Sequence, residues 1–455
     1  MTSLATRGKW SSRLGFILAA AGSAIGLGNI WRFPYTAGQY GGGAFILLYL
    51  AFVALIGIPV LLAELSMGRN TERNAVGAFK ALLPGSWWPW VGGLGVVTGF
   101  GILSFYSVIA GWTLYYAFKS LTGEFGGDFG AEASGAIFSA LTADGSLMVI
   151  LTAVFLLLTA LVVRRGVSAG IERTVKVLMP VFFAVLVLLV IRSVTLPGAD
   201  KGLSFLFSFD LSKLANPAAV GSALGQALFS LSIGMGAMIT YGSYLSREEN
   251  LPRAGVIVAF FDTGIALVAG LMIFPAVFAM GGSPAAGPGL VFVTMPTVFG
   301  QMPAGNFMAF AFYALLAIAA LTSTISLLEV IVAYFVDEKG WSRERATWSM
   351  TAACFALAIP SALSNGAVDF LSKLPGGGFL GLCNIIFGNY FLSIGAVFIC
   401  LFVGWKWGIG KALEEMRHGD GVLPAGKLWG IMVRYVCPVA VVAVLIYAAI
   451  TGQYL

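Results

Sequence analysis

Two short runs in an otherwise apolar chain have a pattern with chemical meaning: Ile25-Gly26-Leu27-Gly28 and Ile233-Gly234-Met235-Gly236. Paired glycines weaken a helix, and inside a bilayer a broken helix frees N–H and C=O groups that lipid cannot satisfy. Free N–H groups at the start of a half-helix, at its positive dipole end, suit a carboxylate. Freed carbonyls suit a hard cation, which prefers oxygen ligands. Polar side chains flank both runs. Asn29 follows Gly28, and Ser230 and Ser232 precede Gly234. Asp262 stands alone in one apolar stretch, and Thr322, Ser323 and Thr324 lie together in another. A hydroxyl in such a helix most often bonds back to its own backbone. An intramembrane carboxylate is costly and by default functional. Glu64 and Glu329 have the same standing, or else tie broken backbone together. A zwitterionic amino acid with a sodium ion would satisfy both ends of one break.

Something must hold these residues in a bilayer, and the composition provides it. The chain has 455 residues, of which 59% are hydrophobic and 10% charged. A soluble domain needs far more polar surface. A crossing helix needs about 20 apolar residues, which predicts eleven spans near 12–35, 40–68, 88–118, 146–164, 172–195, 219–244, 254–280, 305–335, 346–363, 379–405 and 430–451. The basic N-terminus before the first run reads as a retained helix, because no cleavage site interrupts it. Longer connections near 119–145, 196–218 and 281–304 read as loops or short interfacial helices.

Basic residues orient the spans. With the N-terminus inside, the cytoplasmic loops hold 20 of the 26 Lys and Arg residues, as the positive-inside bias requires. The N-terminus is therefore expected in the cytoplasm, the C-terminus outside, and the chain in a bacterial inner membrane. The net charge of +6 then needs no nucleic-acid partner. The single histidine, His418, lies in a charged loop, and the four cysteines are spread singly through apolar runs. Neither supports metal binding by His and Cys, or an enzyme. The glycine runs lack the strand and the P-loop lysine of a nucleotide site. No organic cofactor or obligate protein partner is expected; the partners are the bilayer and an amino-acid substrate.

The two glycine runs fall in the first and sixth spans, which cross in opposite directions. Interrupted helices at matching places in two inverted halves mark the central site of a transporter.

Longer motifs give a resemblance. Trp10-Ser11-Ser12-Arg13-Leu14-Gly15, the stretch Ala21 to Pro34 (AGSAIGLGNIWRFP), Gly41-Gly42-Gly43-Ala44-Phe45 and Glu64 to Arg69 (ELSMGR) occur in order. Phe229 to Tyr241 (FSLSIGMGAMITY) and Ala319 to Ser323 (AALTS) follow. The chain resembles the neurotransmitter:sodium symporter family over its whole length. The resemblance implies one all-α transporter domain over 1–455 with the LeuT-type 5+5 inverted repeat. Spans 1–5 (about 12–195) and 6–10 (about 219–405) would form the halves, and an eleventh span (about 430–451) would follow them.

The family likeness also implies two sodium sites. The first takes the Ala24 carbonyl, Asn29, Ser230, Asp262 and the substrate carboxylate. The second takes the carbonyls of Gly22, Ile25 and Ala319 with the hydroxyls of Thr322 and Ser323. Family members often carry Asn at the first site and draw negative charge from chloride or a nearby acid; here Asp262 carries the charge, and Ala266 occupies the place of the extra acid. Chloride-independent transport is the expectation. The substrate carboxylate would meet Leu27, Gly28, the first sodium and the Tyr106 hydroxyl. Its side chain would lie among Ile102, Tyr106, Phe229, Ser232, Met235, Ser323 and Leu327. Met adapts its shape, which favours a large hydrophobic or aromatic neutral amino acid. A carrier of small neutral amino acids, or a proton-coupled one using Asp262 or Glu329, is the alternative.

Gates are implied too. Arg7 and Asp337 match a cytoplasmic salt bridge, with Trp10 and Tyr244 beside it. Arg32 and Gln226 match the outer gate. Asn384 stands where the family carries an acid, and Asp369 is the candidate substitute. Gly170 and Pro180 match a motif that unwinds the inner part of the fifth span.

Overall fold

The computed structural model describes residues 8–126, 129–287 and 289–452, and among them the fold is all-helical with no strand. Among the described residues, nine helices are long and apolar enough to cross a bilayer. Gly43–Thr71, Pro89–Leu121, Gly145–Val163 and Val167–Val194 take the places of spans two to five. Leu251–Ala279, Gly305–Lys339, Arg343–Leu363, Gly378–Arg417 and Gly426–Thr451 take those of spans seven to eleven. Short helices Ala131–Ala143, Ala199–Phe207 and Leu290–Gly300 lie in the three long connections.

The first and sixth spans differ from the rest. The first is a bent pair, Arg13–Ala24 and Gly28–Gln39, turning by 47°. Its first half starts at Ser12, whose side chain accepts from the Gly15 N–H at 3.1 Å. It ends where Ile25 turns extended (φ −71°, ψ 98°). The sixth is opened further, into Pro217–Ser230 and Ala237–Gly242 with a non-helical stretch between. Three residues of that stretch have left-handed backbone: Ser232 (φ 53°), Gly234 (φ 87°) and Gly236 (φ 74°).

Two contacts keep this opening in place. A Cβ on Gly234 would run into the Leu392 carbonyl, and one on Gly395 into the Gly234 carbonyl, so the stretch lies backbone to backbone on the tenth span. Glu64 Oε1 accepts from the freed Gly234 N–H at 2.6 Å. Of the two readings open for Glu64, the structure displays the tie to broken backbone, as unsatisfied N–H groups in a bilayer require.

The third and eighth spans form the buried centre, with 78% and 83% of their apolar windows covered. The fifth and eleventh turn Val177, Ile191, Ile446 and Ile450 outward, as lipid-facing helices do. The tenth helix continues past its expected end at 405. Gly408 (φ 100°) turns it into the amphipathic segment Ile409–Arg417. Glu415 on that segment meets fully buried Arg69, with Nε 2.7 Å from Oε1. Arg69 Nη1 also donates to the Glu249 carbonyl at 2.7 Å, joining three connections on one side of the bundle.

Left-handed backbone costs a non-glycine residue about 1–2 kcal/mol. At Gly85 (φ 74°), where nothing surrounds the position, Gly85→Ala carries that cost alone. Gly234→Ala adds the collision with Leu392 and lowers the melting temperature of the purified protein further. Equal shifts would contradict the close approach.

Candidate functional site

Asp262, on the seventh span and without solvent exposure, lies beside both breaks. Ser230 Oγ donates within 2.8 Å of both carboxylate oxygens. Asn29 Nδ2 lies 2.7 Å from Asp262 Oδ1, 2.9 Å from its backbone carbonyl and 3.1 Å from Ser230 Oγ. Asn29 Oδ1 accepts from the Gly26 N–H at 3.1 Å, which caps the break in the first span. Turning this amide over would present an acceptor beside the carboxylate, the polarity a cation requires. Asn29, Ser230 and Asp262 thus form one oxygen-rich cluster. Ala24 lines the cavity beside it.

Tyr49 completes the cluster and was missed in the sequence. Its hydroxyl donates to Asp262 Oδ2 at 3.3 Å and lies 3.4 Å from Ser230 Oγ. The available signal was a phenol in an apolar run, because a buried Tyr hydroxyl nearly always finds a partner.

A second group of oxygens gathers where the first span meets the eighth. Thr322 Oγ1 lies 3.0 Å from the Ala319 carbonyl and 3.5 Å from the Ile25 carbonyl. Gly22 faces it: a Cβ there would sit 3.3 Å from Thr322 Cβ. Carbonyl and hydroxyl oxygens without a carboxylate suit a singly charged hard cation. Ser323 turns elsewhere. Its hydroxyl donates to the Ser23 carbonyl at 3.2 Å, and Ser232 Oγ reaches the same carbonyl at 3.1 Å.

Between the two groups lies a small cavity of about 20 Å³. Ala24, Gly28, Ile102, Tyr106, Phe229, Ser230, Ser232, Met235, Ser323 and Leu327 all line it. Gly26 of the first break lines it too, as do Ser23 and Ser326, which the sequence did not single out. The Leu27 N–H donates to the Tyr106 hydroxyl at 2.7 Å. At Gly26 a Cβ would come 2.6 Å from the Tyr106 oxygen, so the backbone there approaches as closely as a side-chain-free residue allows. The opening of the break is polar, and the far wall of Ile102, Met235 and Leu327 is apolar.

A larger space of about 370 Å³ lies on the other side of Phe229 and Tyr106. Arg32 and Asn384 both line it. The Arg32 guanidinium stacks 5.0 Å from the Phe229 ring centre, and Gln226 Nε2 donates to the Gly28 carbonyl at 2.8 Å. Asp369 does not join them. Its side chain is 88% exposed and pairs with Lys373 at 2.9 Å, one turn away on the same short segment. The proposed substitution of Asp369 for the outer-gate acid is therefore corrected: local pairing at the surface holds it away from Arg32.

The opposite end is closed by packed aromatics. Trp10 Nε1 donates to the Tyr241 carbonyl at 3.1 Å, and its ring meets Tyr241 and Tyr244 edge-on. Tyr244 Oη donates to Glu329 Oε1 at 2.7 Å. Arg343 bonds the same carboxylate and donates Nε to the Val163 carbonyl at 2.8 Å. The sequence pointed to Glu329 but not to Arg343, which the chain places 14 residues away. Asp337 Oδ2 accepts from the backbone N–H and from Nδ2 of Asn74, each at 3.1 Å. Arg7 lies outside the described residues. Gly170 and Pro180 sit in a segment that is helical throughout.

Comparison with known proteins gives this geometry a context. A family model described as the sodium:neurotransmitter symporter family matches residues 7–129 and 129–454. The sodium-dependent transporter YhdH of Bacillus subtilis is 40% identical over 440 residues, covering 96% of each chain. A sodium-dependent transporter of Haemophilus influenzae is 36% identical, covering 97% of this chain and 98% of that one. The crystal structure of MhsT in complex with L-phenylalanine superposes with a TM-score of 0.90 at 48% identity, covering 97% of this chain and all of that one.

Removing the Tyr49 hydroxyl leaves Asp262 with one donor fewer. A hydrogen bond to a charged group contributes about 1.5–3 kcal/mol, or at least about tenfold in an equilibrium. In Tyr49→Phe the sodium concentration for half-maximal uptake rises by about that factor, measured in proteoliposomes. An unchanged value would remove Tyr49 from the cluster.

Proposed function

This chain belongs to the sodium:neurotransmitter symporter family, and from that premise we propose that it imports a neutral amino acid with a large hydrophobic or aromatic side chain. It is a multi-pass, sodium-dependent transporter and not an enzyme. The finer reading rests above all on one arrangement. A buried carboxylate cluster, Asp262 with Ser230, Asn29 and Tyr49, borders a cavity whose far wall includes Met235. That MhsT binds L-phenylalanine supports the same substrate class.

In this reading one sodium ion is held by Asp262, Ser230, Asn29, the Ala24 carbonyl and the substrate carboxylate. A second is held by Thr322 and the carbonyls of Gly22, Ile25 and Ala319, and Ser323 joins them when its hydroxyl leaves the Ser23 carbonyl. The substrate carboxylate meets the backbone at Leu27 and Gly28 and the Tyr106 hydroxyl, where a half-helix begins and its dipole favours an anion. The side chain fills the space towards Ile102, Phe229, Ser232, Met235 and Leu327. The whole chain acts as one unit of two inverted halves, in an inner membrane with its N-terminus in the cytoplasm. Alternating access opens the space beside Arg32, Gln226 and Asn384 on one side, and the Trp10, Tyr244 and Asp337 region on the other.

The energetics suffice for concentration. Each sodium charge moved inward gains about 2.3 kcal/mol per 100 mV. A tenfold gradient adds about 1.4 kcal/mol per ion. Two ions supply about 7 kcal/mol, enough for at least on the order of 10⁴-fold accumulation.

The negative charge of Asp262 replaces any need for chloride. Proteoliposomes are expected to take up L-phenylalanine, L-leucine and L-tryptophan with sodium and to lose uptake when choline replaces it at constant pH. Glycine and L-alanine compete weakly. Replacing chloride by gluconate leaves the rate unchanged. A flat response across all twenty amino acids would overturn the substrate reading, and collapse in gluconate would overturn the role of Asp262.

A further inference from the structure

The short helix Ala75–Leu82 links the second span to the third, and its cap and first residue touch two regions that lie apart in the sequence. Asn74, with no solvent exposure, caps it. Its Oδ1 accepts from the N–H groups of Val76 at 2.9 Å and Gly77 at 3.1 Å. The same residue holds Asp337 twice, through its backbone N–H and Nδ2 at 3.1 Å. Nδ2 also reaches Glu338 Oε1 at 3.3 Å.

Ala75 sits in a notch with no slack. A Cβ on Gly236 would lie 2.8 Å from the Ala75 methyl, and one on Gly92 would lie 2.6 Å from the Ala75 carbonyl oxygen. The third span closes the other side: a Cβ on Gly95 would lie 3.1 Å from the Met235 carbonyl carbon and 3.2 Å from Gly236 N. The Met235–Gly236 peptide is thus clamped between Gly95 and Ala75. The Met235 side chain, on the same peptide, lines the central cavity.

We propose that Asn74 and Ala75 are positioning residues that couple the filling of the central cavity to the cytoplasmic side at Asp337. The proposal rests on the transport reading above for what fills the cavity. Close-packed interiors transmit small displacements because they have no room to absorb them. Gly236, in left-handed backbone, can turn where other residues cannot. When Met235 is pressed from the cavity, its peptide moves against the Ala75 methyl. Four hydrogen bonds fix Asn74 to the helix start and to Asp337, so the start of the helix moves as one piece. A seated Ala75 keeps Asp337 held and the cytoplasmic side shut. A poorly filled cavity leaves Met235 unsupported, and Ala75 then leaves its notch. Contiguity supplies the route, and a measured coupling has to supply the warrant.

The test uses the full chain with its four cysteines replaced and one reporter, Ser243→Cys, at a buried position of the sixth span beside Tyr244. Asn74→Ser keeps an oxygen for the cap but has no Nδ2 for Asp337. Ala75→Gly removes one methyl and leaves the chain otherwise intact. With saturating sodium and L-phenylalanine, each variant is expected to raise the rate of thiol labelling at the reporter about fivefold or more, the size of a modest coupling energy. The KM for L-phenylalanine rises while turnover at saturation is retained, a split that mere loss of folded protein does not produce. Labelling rates and KM equal to those of the parent in both variants would overturn the proposal. If Asn74→Ser does not purify as a monodisperse protein, Ala75→Gly decides alone. Absence of L-phenylalanine uptake in the parent would instead overturn the substrate reading, and labelling in sodium alone, variants against parent, would still read whether Ala75 in its notch holds the cytoplasmic side shut.

Discussion

A carboxylate with no exposure inside an apolar bundle has to be compensated, because taking a charge out of water costs several kcal/mol even after relaxation. Asp262 is that carboxylate, and the bundle is arranged around it. Its partners come from three other spans: Asn29 from the first, Tyr49 from the second and Ser230 from the sixth. Two of those partners stand at breaks. A continuous first helix would leave no free Gly26 N–H for the Asn29 amide to cap, and a continuous sixth helix would carry its chain on past Ser230. The break and the charge require each other.

Opening a helix in a bilayer then sets a second demand, since every freed backbone group needs a partner. The structure meets it with fixed polar groups. Glu64 takes the Gly234 N–H, Tyr106 takes the Leu27 N–H, and the Ser23 carbonyl receives both Ser232 and Ser323. Glycine provides the room, most tightly where Gly234 and Gly395 press the sixth span onto the tenth. The polar ends of the opening and its apolar far wall describe a site for a small zwitterion with an apolar tail.

Much of this was legible in the chain. Long apolar runs marked the crossings in order, and among the described residues nine of the eleven expected spans are helices long and apolar enough to cross a bilayer, ten with the bent first span. Glycine pairs marked the breaks, and Asp262 stood out because a charge in such a run is expensive. What stayed hidden depends on long-range pairing. Tyr49 reads as an ordinary aromatic until the second span lies against the seventh. Arg69 and Glu415 lie 346 positions apart and meet only because Gly408 turns the tenth helix back. Asn74 looks like a simple helix cap, and its hold on Asp337 appears only in three dimensions. Asp369 misled for the opposite reason: its nearest cation, Lys373, was one turn away, and the local pair won.

The central claim is that Asp262 supplies the negative charge for a bound sodium ion. Radiolabelled sodium binding to purified Asp262→Asn in chloride-free buffer tests it directly. Loss of the charge is expected to weaken sodium binding at one site by at least about tenfold, with part of that loss recovered when chloride is added. Sodium binding equal to that of the parent, in the absence of chloride, would contradict the account.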